Sequence, residues 1–88
     1  MLVVQRSLGG QIHFKAPDAS RLTLQLERRS RDPGKLVLTL NKQQVLRTLN
    51  EHWQFRLTGE TVLIQITSTA DDDRFRIWIN APSTIEVS

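Results

Sequence analysis

Apolar side chains recur at alternate positions through nearly every stretch between turn residues, and this period of two most constrains the fold. The clearest stretch is Arg74-Phe75-Arg76-Ile77-Trp78-Ile79-Asn80. Successive side chains on a strand point to opposite faces, so Phe75, Ile77 and Ile79 share one face while Arg74, Arg76, Trp78 and Asn80 share the other. A helix would need apolar residues three and four apart. Asn80-Ala81-Pro82 stops the strand, because proline has no amide to donate and biases its predecessor away from helix. Ile85 and Val87 resume the alternation in a short final strand.

The same pattern runs back through the chain. Leu2 to Arg6 reads as a first strand ended by Gly9-Gly10, and Gln11 to Lys15 continues with Ile12 and Phe14 inward. Pro17-Asp18-Ala19-Ser20 is a loop, and Arg21 to Glu27 alternates on Leu22, Leu24 and Leu26. The polar run from Arg28 closes on Pro33-Gly34, a strong turn pair, before the strand Leu36 to Leu40. Residues 41–50 admit two readings. Asn41 can cap a short helix carrying Val45, Leu46 and Leu49, or Asn41-Lys42 can turn a hairpin whose second arm is Gln44 to Leu49. The strand-rich neighbourhood favours the hairpin. Trp53, Phe55 and Leu57, then Val62, Ile64 and Ile66, form two more inward rows around Gly59-Glu60, and Thr67 to Asp73 is a loop. Eight or nine short antiparallel strands at such spacing predict an all-β fold, a small sandwich or barrel. No internal repeat is evident, since the leucine-bearing strands look alike only because leucine is common.

With 88 residues the chain is expected to be a single domain spanning 1–88. A domain this small hides only about 60–65% of its unfolded surface, which makes a shared dimer core an attractive expectation. Cysteine is absent, which excludes disulfides, thiolate metal sites and a cysteine nucleophile. No apolar run approaches the roughly 20 residues of a membrane helix, and the start lacks a signal-peptide pattern, so a cytoplasmic, membrane-free protein is expected. The formal charge is +3 and nine of the twelve basic residues are arginine, whose planar fork suits phosphate.

Catalytic signals are thin, and the expectation is that the protein is not an enzyme and takes no cofactor or metal. His13 and His52 are the only histidines, and neither belongs to a recognisable nucleophile motif. Asp71-Asp72-Asp73 lacks the spaced ligands and glycine of a calcium loop, and no glycine-rich phosphate loop is present. Basic residues cluster around Pro33-Gly34 (Arg28, Arg29, Arg31, Lys35) and on the strand bearing Arg74, Arg76 and Trp78. The first cluster reads as a solvated hairpin tip. On the second, a base can stack on Trp78 while the flanking arginines hold phosphate, or Trp78 can lie under a partner protomer or the middle of the chain.

The run Arg76-Ile77-Trp78-Ile79-Asn80-Ala81-Pro82-Ser83-Thr84-Ile85-Glu86-Val87 resembles the "RIGVNAPKEVAV" segment of the carbon storage regulator (CsrA/RsmA) family, and Met1 to Ile12 resembles that family's opening "MLILTRRVGETL". On this resemblance residues 1–14 and 61–88 are family-like and 15–60 form an insertion. The resemblance implies two chains interlocked into a β-rich homodimer, with the first strand of one beside the last strand of the other. That seam would grip a GGA-containing RNA loop and regulate translation of a message. The family's RNA contacts then fall on Val4, Gln5, Arg6 and Ser7 in the first strand and on Ile85, Val87 and Ser88 in the last, with Arg74, Arg76 and Trp78 extending the track. Two departures stand out: Ser7 where the family has a second arginine, and Trp78 where it has glycine. The contrasting expectation is a non-catalytic protein-interaction or structural β-module without RNA binding, in which Trp78 anchors an interface.

Overall fold

Nine strands and no helix make up the computed structural model, which describes all residues Met1–Ser88. They are β1 (Leu2–Ser7), β2 (Gln11–Lys15), β3 (Arg21–Arg29), β4 (Lys35–Leu40), β5 (Gln43–Thr48), β6 (His52–Leu57), β7 (Glu60–Ser68), β8 (Arg74–Asn80) and β9 (Glu86–Val87). Two antiparallel sheets result: a four-stranded sheet A in the order β1-β8-β7-β6, and a five-stranded sheet B in the order β5-β4-β3-β2-β9. Their inner rows meet in one apolar cluster, with Ile12, Phe14, Leu24, Leu26, Leu36 and Leu38 from sheet B against Phe55, Val62, Ile64, Ile66, Phe75, Ile77 and Ile79 from sheet A. These are the alternating positions of the sequence, and the arrangement is the small β-sandwich they predict.

The segment 41–50 is a hairpin and not a helix. Asn41 and Lys42 both take positive φ (51° and 72°). That geometry matches the strand twist in a two-residue β-turn and cannot begin a right-handed helix. Strand β3 runs two residues past its expected end at Glu27. A register shift between Leu26 and Arg28 marks a bulge there, which lets the strand bend on beside Val37 and Leu36.

Within the chain, the two ends join different sheets. β1 pairs along its length with β8 of the same chain, from Leu2↔Ile79 to Ser7↔Arg74. β9 instead pairs with β2 in the other sheet. The cause lies in Asn80-Ala81-Pro82: proline cannot extend the ladder, and a turn closed by the Ile85 amide on the Pro82 carbonyl (3.0 Å) carries the chain across.

The register reveals an internal two-fold relation that the sequence conceals. Leu2↔Ile79 through Ser7↔Arg74 in the β1–β8 pair has the same form as Gln43↔Leu40 through Thr48↔Lys35 in the β5–β4 pair. Phe14↔Leu22 corresponds to Phe55↔Val62, and Leu24↔Leu40 corresponds to Ile64↔Ile79. Loop bonds repeat as well. The Leu8 amide donates to the Asp73 carbonyl as Leu49 does to Gly34, and Gly9 donates to Leu26 as Asn50 does to Ile66. Gly9 and Asn50 both hold positive φ. Strands β1–β4 thus correspond to β5–β8, and the halves interlock: the first strand of each lies in the sheet built by the other. Phe14 and Phe55, equivalent residues, meet edge to face with ring centroids 5.1 Å apart.

Candidate nucleic-acid interface

Because β8 alternates, burying Phe75, Ile77 and Ile79 turns Arg74, Arg76, Trp78 and Asn80 onto the outer face of sheet A. Pairing then assembles that face in rows. Gln5 and Thr67 lie opposite Arg76, Ser7 lies opposite Arg74, and Val3 and Gln65 flank Trp78, with His52 beyond Gln65. Leu63 lies opposite Asn80, and Arg56 opposite Thr61 extends the basic character to the far edge. None of these outward residues is a carboxylate. A concavity of about 420 Å³ lies here, lined by Met1, His52, Leu63, Gln65, Trp78 and Asn80 among others. Trp78 is half-buried at its centre, while Val3 (42%), Leu63 (40%) and Met1 (85%) are exposed around it.

The expected contact residues therefore divide into three groups. Gln5, Ser7, Arg74, Arg76 and Trp78 come together on this face. Val4 and Arg6 are on the opposite side of β1, where Val4 packs against the core and Arg6 lies opposite buried Phe75. The Arg6 guanidinium is turned back on its own backbone, donating from NH1 to the Gln5 carbonyl (2.8 Å) and from Nε to the Gln11 carbonyl (3.1 Å). Ile85, Val87 and Ser88 lie in or directly beside β9, on the edge of sheet B. Ile85 is buried, Val87 lies opposite Phe14, and Ser88 exchanges two 2.9 Å backbone bonds with His13. Both ends of the chain do line one cleft of about 300 Å³, through Met1, Leu2, Ile85 and Val87 with Ile79, Ala81, Pro82 and Ser83, but no basic side chain lines it.

Other basic residues serve the fold. Arg29 lies 4.7 Å from the centre of the Phe75 ring and donates from Nε to the Asp72 carbonyl (2.9 Å), so the charged hairpin tip braces the Asp71–Asp73 loop. Arg47, the counterpart of Arg6, stacks 5.2 Å from the centre of the Trp53 ring. Asp71-Asp72-Asp73 acts through its backbone: the Asp71 and Asp73 carbonyls accept from Arg74 and Leu8. His13 shares a 3.1 Å hydrogen bond with the Thr23 hydroxyl on sheet B, far in the topology from His52 on sheet A.

Gln65, Leu63 and Arg56, which nothing in the sequence marks out, complete the face with His52, which the sequence offers only as a weak catalytic candidate. Their parity within β6 and β7 is legible, since each sits between inward apolar residues. Their adjacency to Trp78 is not, because it depends on β7 lying beside β8 and β6 beside β7. Compared with known protein families, curated proteins and solved structures, the chain matches none, so the functional reading rests on these residues.

Proposed function

We propose that this protein is a small, non-catalytic RNA-binding regulator that takes single-stranded RNA across the outer face of sheet A. One observation carries the reading: a half-exposed tryptophan is centred on a carboxylate-free sheet face, with Arg74, Arg76, Gln5 and Ser7 aligned on one side. A sheet is a flat platform on which splayed bases stack, and base–aromatic stacking contributes roughly 1–3 kcal/mol per base. Guanidinium groups beside it neutralise phosphates without needing a particular sequence, and Gln65, His52 and Asn80 offer hydrogen bonds to base edges.

The resemblance to the carbon storage regulator family supports the same class of ligand by a different route. The interlocked pair of chains that it implies has its analogue here in the two halves of one polypeptide. On this reading residues 15–60 are not an insertion but the end of one half and the start of the next, so one chain supplies what two would. A GGA-containing hairpin is the first probe.

The test is equilibrium binding of a labelled GGA hairpin and of an unstructured RNA, with salt varied. Binding that weakens steeply with salt and falls about tenfold or more for Trp78→Ala is expected. Arg6→Ala discriminates the location. If it abolishes binding while Trp78→Ala does not, the first-strand/last-strand seam is the site and sheet A is not. Absence of binding at micromolar protein and low salt would remove the RNA reading altogether.

A further inference from the structure

The two-fold relation is broken at the edges of the sheets. β2 is covered on its outer edge by β9, whereas β6, the equivalent strand, ends its sheet bare. Between β4 and β5 the chain has only Asn41-Lys42, so the first half contributes no strand corresponding to β9. The side chains record the difference. Phe14 is fully buried and Ile12 nearly so, but Phe55 is 9% exposed and Trp53 is only half-buried. At the covered edge, His13 gives its amide to the Ser88 carbonyl and accepts from the Ser88 amide, both at 2.9 Å. Gln54 occupies the same register position in β6, between Trp53 and Phe55 as His13 lies between Ile12 and Phe14. Its amide and carbonyl therefore face out of sheet A with no strand to meet them.

We propose that the β6 edge accepts an extended segment of a partner protein as a fifth, antiparallel strand of aliphatic-acidic-aliphatic pattern. The covered edge supplies the specification. There Glu86 lies opposite Lys15 and Val87 opposite Phe14, with Ile85 buried behind them. The corresponding β6 residues are Arg56 and Phe55, so the incoming strand places a carboxylate opposite Arg56 and an aliphatic residue opposite Phe55. Strand addition of this kind draws affinity from backbone bonds and specificity from alternate side chains. A second copy of β6 is a poor occupant, because His52, Gln54 and Arg56 include no carboxylate to complement Arg56. This inference does not rest on RNA binding, although Arg56 borders the face proposed for RNA.

The probe is a capped synthetic peptide with the sequence of residues 83–88, added to the full chain and followed by amide NMR and hydrogen exchange. Expected are a shifted Gln54 amide whose exchange slows by about tenfold or more, and an unchanged His13 amide. Replacing the peptide's glutamate by lysine weakens binding about fivefold, the scale of one cross-strand charge pair, and Arg56→Glu in the protein restores it. Gln54→Pro removes only an outward-facing donor, so it abolishes binding while thermal unfolding shows the chain still folded. Three results would overturn the proposal. They are no change at Gln54 with millimolar peptide, perturbation of His13 alone through displacement of β9, and Gln54 already protected in a sedimenting dimer without peptide.

Discussion

The outer faces of the two sheets are laid on the same register, yet only one carries an aromatic platform. Trp78 on sheet A corresponds to Thr39 on sheet B, Leu63 to Thr23, His52 to Gln11 and Val3 to Gln44, while Gln65 and Asn80 keep their amides as Gln25 and Asn41. Both faces are concave at this spot, about 420 Å³ on sheet A and about 290 Å³ on sheet B. The inner rows of β2–β4 and β6–β8, by contrast, remain apolar at every equivalent pair, from Phe14 and Phe55 to Leu38 and Ile77. Packing holds the inward positions to one chemistry because a polar group there would lose water without gaining a partner. The outward positions are free to differ, and there sheet A carries Trp78, Leu63 and Val3 where sheet B carries Thr39, Thr23 and Gln44. Where internally related halves diverge, the face that gained Trp78 and Arg76 is the one to interrogate.

The strongest test of the comparison lies in the core. Phe14→Ala is expected to cost about 3–5 kcal/mol in urea unfolding, and Phe55→Ala about 1 kcal/mol less, because the β6 edge already leaves Phe55 partly in water. Equal losses would mean that the uncovered edge makes no energetic difference between the halves. Next in size is the division between the faces. Trp78→Ala is expected to weaken single-stranded RNA binding by roughly 1–3 kcal/mol, and Thr39→Ala to leave it unchanged. Thr39→Trp should not create a second site, since the positions of Arg74 and Arg76 are held on sheet B by Lys35 and Val37. Arg76→Ala should reduce the slope of log affinity against log salt by about 1, read from a salt titration.

Smaller effects come from the turns. Lys42→Gly relieves a side chain at φ 72° and is expected to raise stability by about 0.5–1 kcal/mol in the same urea assay. At the β2–β3 loop the Ser20 backbone amide donates to the Asp18 carboxylate (2.9 Å), and this bond, followed by one from the Ser20 side chain, lowers the Asp18 pKa from its ordinary 3.8. A carboxyl whose folded pKa is depressed stabilises the fold above its unfolded pKa and loses that contribution as pH falls through the folded value. Asp18→Asn should therefore lower the melting temperature slightly at neutral pH, with the difference vanishing once the pH is well below 3.8. The first half alone has this loop, for the second crosses the same gap through Thr58-Gly59, so no equivalent pH effect is expected there.

How much of this was readable beforehand depends on distance along the chain. Alternation placed the buried rows and the turns, and Arg74–Asn80 was delimited to the residue. The bulge after Leu26 was hidden, because an unpaired residue in a strand leaves no mark on local composition. The same bulge, together with a path from Phe14 to Leu22 one residue longer than its counterpart from Phe55 to Val62, also masks the two-fold relation. Equivalent residues drift in spacing along the halves, and outward substitutions such as Thr39 against Trp78 remove the remaining likeness. Arg6 was grouped with Arg76 by charge, although its parity with Val4 already puts it on the other side of β1. The strand pattern contained that signal, and charge alone obscured it.

By itself the sequence determined that the chain would be strands, where they begin and turn, and which side chains seek the core, because these follow from neighbours one or two residues apart. Tertiary structure alone decided that β1 lies against β8, that β9 crosses to β2 and that β6 stays uncovered. Those pairings close loops of most of the chain's length. The entropy of closing them is recovered only when both inner faces are buried at once, a condition that no local pattern expresses.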